Sequence, residues 1–260
     1  METSYERRFG GIARLYGAAA LEKFRAAHIC VIGVGGVGSW SAEALARSGV
    51  GAITLIDLDD ICVSNTNRQL PALLGQYGQM KVAALAERIV AINPECKVTT
   101  VEDFVDAGNL AELLGVGFDY IIDAIDSVRT KAAIIAWCKR NKVSLITTGG
   151  AGGQIDPTRI QVVDLMRTTQ DPLASKVRGL LRREYGFPKG DKKFGVDCVF
   201  STEPLVYPQP DGSVCAQKPA VGDAPARLDC EGGFGASVAV TGTFGFVAVA
   251  HLLKKLAARD

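Results

Sequence analysis

The feature that most constrains this chain is a run of glycines set between an apolar strand and a helix. HICVIG, residues 28–33, is a short apolar run bounded by glycine, the pattern of a buried strand. Gly33-Val34-Gly35-Gly36-Val37-Gly38 follows at once, and VGSWSAEALARS (37–48) reads as the helix after it. Glycines there let the backbone approach a phosphate closely. Exposed N–H groups and the helix dipole then hold the anion. A second strand, GAITLID (51–57), ends in Asp57, placed to accept hydrogen bonds from ribose hydroxyls. The bland alternative is a purely structural glycine turn.

The alternation continues along the chain. Residues 78–92 keep a 3.6-residue period through Val82, Leu85, Ala86, Ile89 and Val90, and Pro94 blocks continuation. KVTTVED is a third strand, LAELLG a short helix, and YIIDAID (120–126) a fourth strand. TKAAIIAWCKRN is a helix whose Lys–Arg end suits its C-terminus, and VSLITTGG is a fifth strand. The expected fold is α/β: a doubly wound, mostly parallel Rossmann-like sheet over 28–150, with an irregular C-terminal lobe. Residues 1–27 form a helical segment, expected as two helices meeting near Gly17. Residues 151–260 are expected to be continuous with the preceding part as one domain. In them, Gln154–Asp164 reads as a strand pair after the turn at Asp156-Pro157, and the proline-rich 200–230 as extended loop.

Composition excludes little. Lys plus Arg is 29 and Asp plus Glu is 28, so overall charge neither predicts nor excludes a nucleic-acid partner. The seven cysteines include no CxxC pair, which argues against a paired-cysteine zinc site and fits reduced cytoplasmic thiols. METSYERRFG has no apolar core and is not a signal peptide. Residues 232–253 lack any Asp, Glu, Lys or Arg and are long enough to be flagged as a membrane span. Their Gly, Ala, Ser and Thr content suits a buried segment ending in a helix instead.

Polar residues beyond Asp57 weigh against a dinucleotide, which needs no further cations. Arg68 offers a planar fork for phosphate oxygens, and Lys81, early in its helix, has a stem long enough to reach a triphosphate. Asn65 and Asn67 are short polar arms in the same loop, and Asp126 is expected to end the fourth strand and position Mg2+. This set suits a nucleoside triphosphate attacked at phosphorus by a carboxylate. Each well-placed contact would contribute roughly 2–4 kcal/mol at the transition state. For any one of these residues, solvation or a salt bridge is the plain alternative.

GVGGVGS (33–39), LIDLDDICVSNTNRQ (55–69), GQMK (78–81) and DAIDS (123–127) together resemble the E1-like activating-enzyme superfamily. The resemblance implies ATP-dependent adenylation of a carboxylate, on a doubly wound sheet in a homodimer or pseudo-dimer, with residues 1–27 related to the dimer and ATP site and residues 151–260 binding substrate or tRNA and forming the dimer. It places Asp57 at the ribose, Asp59, Asn67, Arg68 and Lys81 around the phosphates, and Asp126 at the metal and reacting phosphate. RRFGGIARLYG (7–17), FGVDCVFSTEPLVYP (194–208) and LDCEGGFGASVAVTGTFGFVAVAHLLKK (228–255) look like the tRNA threonylcarbamoyladenosine dehydratase branch. That branch implies ATP-dependent cyclisation of N6-threonylcarbamoyladenosine at position 37 of tRNA. It also implies a monovalent cation (K+ or Na+), and a cysteine desulfurase with its sulfur-acceptor protein as partners. In the sulfur-carrier branch an N-terminal arginine reaches the partner's ATP. Gly11 stands there here, leaving Arg14, Arg7 or Arg8 as substitutes.

Lys176, Arg178, Arg182, Arg183, Lys189, Lys192 and Lys193 are opposed only by Glu184 and Asp191. They are candidates for tRNA phosphates or, more plainly, a solvated basic face. Tyr185 and Phe187 could stack on a base or anchor the lobe. Cys230, before Glu231-Gly232-Gly233, could trap an acyl group as a thioester, although tethered ring closure needs no trap. A structural role is expected for Cys198, and neither His28 nor His251 shows a partner in the sequence. Three rivals stand against the dehydratase: an adenylyltransferase for the C-terminal glycine of a small sulfur-carrier protein, a nicotinamide oxidoreductase, and a non-enzymatic adaptor for a desulfurase.

Overall fold

A computed structural model describes residues 4–209, 211–217 and 234–259. Its centre is a seven-stranded sheet. The strands are β1 (His28–Ile32), β2 (Ala52–Ile56), β3 (Lys97–Val101), β4 (Tyr120–Asp123), β5 (Leu145–Thr148), β6 (Ile160–Asp164) and β7 (Asp197–Ser201). They lie in the order β3-β2-β1-β4-β5-β7-β6. All neighbours pair in parallel except β6, which runs antiparallel to β7. The chain winds outward from β1 to β3, then crosses back to β4. The order therefore reverses between β1 and β4, where the loops leaving their carboxyl ends diverge and open a crevice. A separate two-stranded ribbon joins Tyr207–Pro208 to Val214–Cys215.

The helices are α1 (Ser4–Tyr16), α2 (Ala18–Ala26), α3 (Gly38–Arg47), α4 (Lys81–Ile92), α5 (Leu110–Leu114), α6 (Val128–Asn141), α7 (Pro172–Glu184) and α8 (Val238–Ala257). Alternate strand residues face opposite layers. Ile29, Val31, Ile53, Leu55, Ile122 and Ile146 join a core beneath α1–α4 and α8. Cys30, Ile32, Ile56, Ile121 and Leu145 join a second core beneath α5, α6 and α7. Because both faces are covered, the central strands read as nearly continuous apolar runs.

The uncharged segment near the C-terminus folds as α8, long and apolar enough to cross a bilayer yet half buried here. Gly242 and Gly245 allow close approach to α3. A Cβ on Gly245 would lie 2.7 Å from the Val37 carbonyl oxygen, and one on Gly242 would meet the Trp40 ring at 3.6 Å. Those small residues are explained by helix packing inside the domain. Residues 232 and 233 of the expected segment lie outside the described residues.

Three expectations change. β4 ends at Asp123 rather than 126, because its ladder with β1 stops at the Ile32–Asp123 pair, where β1 gives way to the Gly33 turn. Residues 154–164 hold one strand, not a pair: a 3-10 turn at Pro157–Arg159 precedes β6. The partner of β6 is β7, which was hidden because only Val196, Cys198, Val199 and Phe200 marked it. Both histidines also gain partners. His28 Nε2 is 2.8 Å from Thr54 Oγ1, and His251 Nε2 is 2.8 Å from Asp197 Oδ2.

Candidate active site

The glycine turn divides by role. Gly33 has φ +79°, and a Cβ there would lie 2.8 Å from Ile125 Cγ2. At Gly38 a Cβ would lie 1.8 Å from the Gly33 carbonyl oxygen. These two make the turn possible. At Gly35 and Gly36 the nearest neighbours would be 3.7 and 3.4 Å away, on Gln69 and Arg68. Here glycine keeps the outer surface bare and backbone N–H groups approachable.

Asp57 is buried, and its carboxylate spans the turn and the following loop. Oδ2 accepts from the Val34 N–H at 2.7 Å and Oδ1 from the Asp59 N–H at 2.9 Å. Lone pairs remain for a sugar hydroxyl. The loop beyond is stiffened from within. Asn65 is buried, with Oδ1 accepting from the Cys62 N–H, and its carbonyl accepts from the Arg68 N–H. Trp40 Nε1 donates to the Arg68 carbonyl at 3.0 Å, pinning the loop against α3. The Arg68 guanidinium donates to Ser64 O and Asn67 Oδ1, each at 2.9 Å. Asn67 Nδ2 reaches Ala236 O at 2.7 Å, joining the loop to the segment before α8.

Lys81 is the first residue of α4 and is 5% exposed. Its ammonium donates to Asp59 Oδ2 at 2.7 Å, while Asp59 itself faces solvent. Asp126 lies on the β4–α6 loop, exposed, just before Ser127 at the N-cap of α6. Ala124 and Ile125 of that loop press on Gly33. Among the described residues Asp126 has no hydrogen-bond or ion-pair partner. A carboxylate of this kind would suit a magnesium ion beside phosphates, and the donor set fits a nucleoside triphosphate.

Two residues escaped sequence reasoning as site candidates. Gln69 Oε1 and Thr241 Oγ1 are buried without a partner. Gln69 borders Gly35, and the Thr241 methyl lies 3.5 Å from the Cβ position of Gly36. Thr243, two residues on, bonds its own helix at Ala239 O, whereas the Thr241 hydroxyl does not. An orphaned buried polar atom costs about 1–3 kcal/mol. Both side chains adjoin the glycine turn, Gln69 through its amide nitrogen and Thr241 through its methyl group. Gln69 could have been found at the end of the quoted loop motif; Thr241 is concealed in an apolar run.

Beneath the β4–α6 loop lies a fully buried ion pair that was also missed. Lys131 Nζ donates to Asp123 Oδ2 at 2.9 Å and to Thr147 Oγ1 at 3.0 Å, and Thr147 donates to Asp123 at 2.7 Å. Asp171, nearby in charge, caps α7 through the Ala174 N–H. Burial pushes its carboxyl up despite that bond and one from the Gly150 N–H.

The basic run is not one uniform face. Arg178 is half-buried and holds Thr168, and burial pulls its guanidinium down. Arg182 donates to Pro188 O and Gly190 O and stacks on Phe194. Lys176, Arg183, Lys189, Lys192 and Lys193 are exposed. Phe187 packs edge-on against Phe194 at 5.1 Å and Tyr185 sits under Arg140, so both anchor the lobe. Cys198 is fully buried in the second core, with its thiol pushed up by that burial. Arg14 is exposed on α1, and Arg7 likewise, whereas Arg8 donates to Ile92 O. Cys230 lies outside the described residues.

A doubly wound sheet whose switch point carries a bare glycine turn, a carboxylate on the next strand and a cationic rim defines an E1-like, nucleotide-using activating domain. The whole chain agrees with that class: residues 5–260 match the ThiF family. The tRNA threonylcarbamoyladenosine dehydratase of Escherichia coli (strain K12) is 63% identical over 257 residues, spanning 98% of this chain and 96% of that protein. The crystal structure of the E. coli tRNA N6-threonylcarbamoyladenosine dehydratase in complex with ATP superposes with a TM-score of 0.88 at 57% identity, covering 99% of this chain and 97% of that one. The AMP complex of the same enzyme gives a TM-score of 0.88 at 58% identity, covering 99% and 98%. This chain belongs to the ThiF family and, within it, to the tRNA threonylcarbamoyladenosine dehydratases.

Proposed function

We propose that this protein uses ATP to dehydrate N6-threonylcarbamoyladenosine at position 37 of tRNA to its cyclic form. The observation that carries the reading is the near full-length identity to a dehydratase, which includes the C-terminal half that distinguishes this branch. The threonyl carboxylate attacks the α-phosphorus of ATP, and the bond to the bridging oxygen breaks to release pyrophosphate. The tethered carbamoyl group then attacks the activated acyl carbon and expels AMP. The substrate has lost one water. Because the nucleophile is held within the same nucleoside, ring closure needs no thioester on Cys230.

The chain's residues divide the work. Gly35 and Gly36 admit the phosphates, with Gly33 and Gly38 shaping the turn that does so. Asp57 orients the ribose while holding the turn. Arg68, Asn67 and Lys81 offset charge that grows on the phosphoryl oxygens, with Asp59 aiming Lys81. Asp126 would hold Mg2+, which when bound would supply Lewis-acid stabilisation of the leaving pyrophosphate. A homodimer would bring Arg14 of one copy to the other's phosphates. The exposed cations of the 176–193 segment would meet tRNA. A cytoplasmic location, a monovalent cation (K+ or Na+) and a cysteine desulfurase with its sulfur acceptor complete the reading, on family resemblance alone.

The test is stoichiometric. AMP and pyrophosphate should form only with tRNA carrying the modified base, and Arg68→Ala should slow both about 100- to 1,000-fold. AMP formation driven instead by a small protein ending in Gly-Gly, without tRNA, would transfer the chain to the carrier-activating branch.

A further inference from the structure

We infer that the groove between α6 and α7 is a subsite for the phosphodiester backbone of the RNA substrate. The inference rests on the tRNA reading and deepens it. Val128, Arg129, Lys176, Gly179, Leu180 and Arg183 line an open groove of about 390 Å3. On α7, residues 176, 179, 180 and 183 follow i, i+3, i+4, i+7 spacing and so share one face. Val128 and Arg129 form the first turn of α6, two and three residues after Asp126. The groove therefore begins where the reacting loop ends.

Three features give it a ligand. First, its cations are uncommitted. Among the described residues neither Arg129 nor Lys176 has an ion-pair or hydrogen-bond partner, and Arg183 meets only the exposed Glu184, at 3.3 Å. Arg178 and Arg182, by contrast, are tied to the protein's own loops, so only part of the basic run is open to a partner. Second, Ser127 makes no side-chain bond to the first N–H groups of α6, which leaves that positive end open beside Arg129. Third, Gly179 lies inside α7 where a Cβ would meet nothing within 4 Å. Nothing in the fold requires glycine there, and a helix-interior glycine costs about 1 kcal/mol relative to alanine. Its absent side chain keeps the groove floor low between two cationic walls.

An apolar floor of Val128 and Leu180 under a cationic rim suits a nucleotide strand, with sugar or base on the floor and phosphates at the rim. An acidic protein segment shares the charge but gains less from such a floor. The groove's nearness to Asp126 would let it hold nucleotides flanking the one that reacts. Arg129 was not among the basic residues singled out from the sequence, because it is distant from them along the chain.

The full-length protein and a fluorescent anticodon stem-loop RNA test this by anisotropy across a salt series, with ATP affinity and conversion of modified tRNA measured in parallel. For the Arg129→Ala/Lys176→Ala protein, the slope of log K against log salt should shrink by about 1.4, two phosphate contacts at about 0.7 each. Gly179→Glu should weaken RNA binding about tenfold or more at low salt with ATP affinity unchanged. Gly179→Ala should raise the melting temperature, showing that the helix tolerates substitution, and weaken RNA binding less than Gly179→Glu does. If wild-type protein binds and converts tRNA while both groove variants bind RNA as it does, the groove assignment is overturned and the dehydratase reading stands. If wild-type protein neither binds nor converts tRNA, both fall. Unchanged RNA binding with lost binding of a poly-glutamate peptide would assign the groove to an acidic protein and overturn the inference.

Discussion

At the scale of single residues, the turn at 33–38 separates glycines crowded by backbone from glycines that face only side chains. A Cβ at Gly38 would collide with the Gly33 carbonyl oxygen at 1.8 Å, and backbone cannot yield cheaply. Gly38→Ala should therefore lose stability by more than about 2 kcal/mol in a denaturant titration. Gly36→Ala meets only side chains, Arg68 at 3.4 Å and the Thr241 methyl at 3.5 Å, and should stay within about 1 kcal/mol of wild type while losing ATP affinity. Equal losses of stability in the two proteins would refute this division. The GxGxxG pattern was plain in the sequence, but the separate roles were not. They depend on what the β4–α6 loop and Gln69 bring to each position, and those contacts cross the fold.

At the scale of elements, buried charge fixes two joints. Lys131 of α6 and Asp123 of β4 are 2% and 0% exposed. Lys131→Met would strand the carboxylate in the core and should cost about 3–5 kcal/mol, whereas Lys131→Met with Asp123→Asn should recover much of that. Additive losses in the double mutant would show no coupling. The second joint is Glu43 of α3, clasped by Arg88 of α4 and by Arg47, each at 2.7 Å. Burial alone would raise its carboxyl, yet the hydrogen bonds and charges of both arginines hold it below the ordinary value of 4.5. A carboxyl lowered by folding stabilises fully above its unfolded pKa, and that contribution fades as pH falls through the folded one. The stability gap between wild type and Glu43→Gln should thus be level near neutrality and narrow in melts below about pH 4. A gap that widens on acidification would reverse the sign. The strand–helix alternation over 28–150 was legible because each element has its own period. β7 and the end of β4 were not, since both are set by partners distant in sequence: β6 for one, the end of β1 for the other.

For the whole molecule, one sheet joins the nucleotide half to the C-terminal half. β6 and β7 extend it beyond β5, and α8 returns to pack on α3 beside the glycine turn. Thr241 and the Asn67–Ala236 bond place C-terminal residues beside the glycine turn and the 57–69 loop, a connection no local motif reveals. Packing on this scale should also shield thiols. Cys30, Cys138 and Cys198 are fully buried, with Cys138 pushed up to about 12. They should resist an aromatic disulfide reagent in the native protein and react only in denaturant, while exposed Cys62 is open to it. Rapid native modification of all four would contradict the fold. The central claim, that this sheet serves the dehydration of a tRNA nucleoside, is tested most directly by mass. Nucleosides from modified tRNA would be analysed after incubation with wild-type protein and ATP, with Arg68→Ala protein, and without ATP. The account predicts threonylcarbamoyladenosine lighter by one water in the first tube alone. An unchanged mass there, with the same protein shown to bind ATP and the tRNA shown to carry the modification, would contradict it.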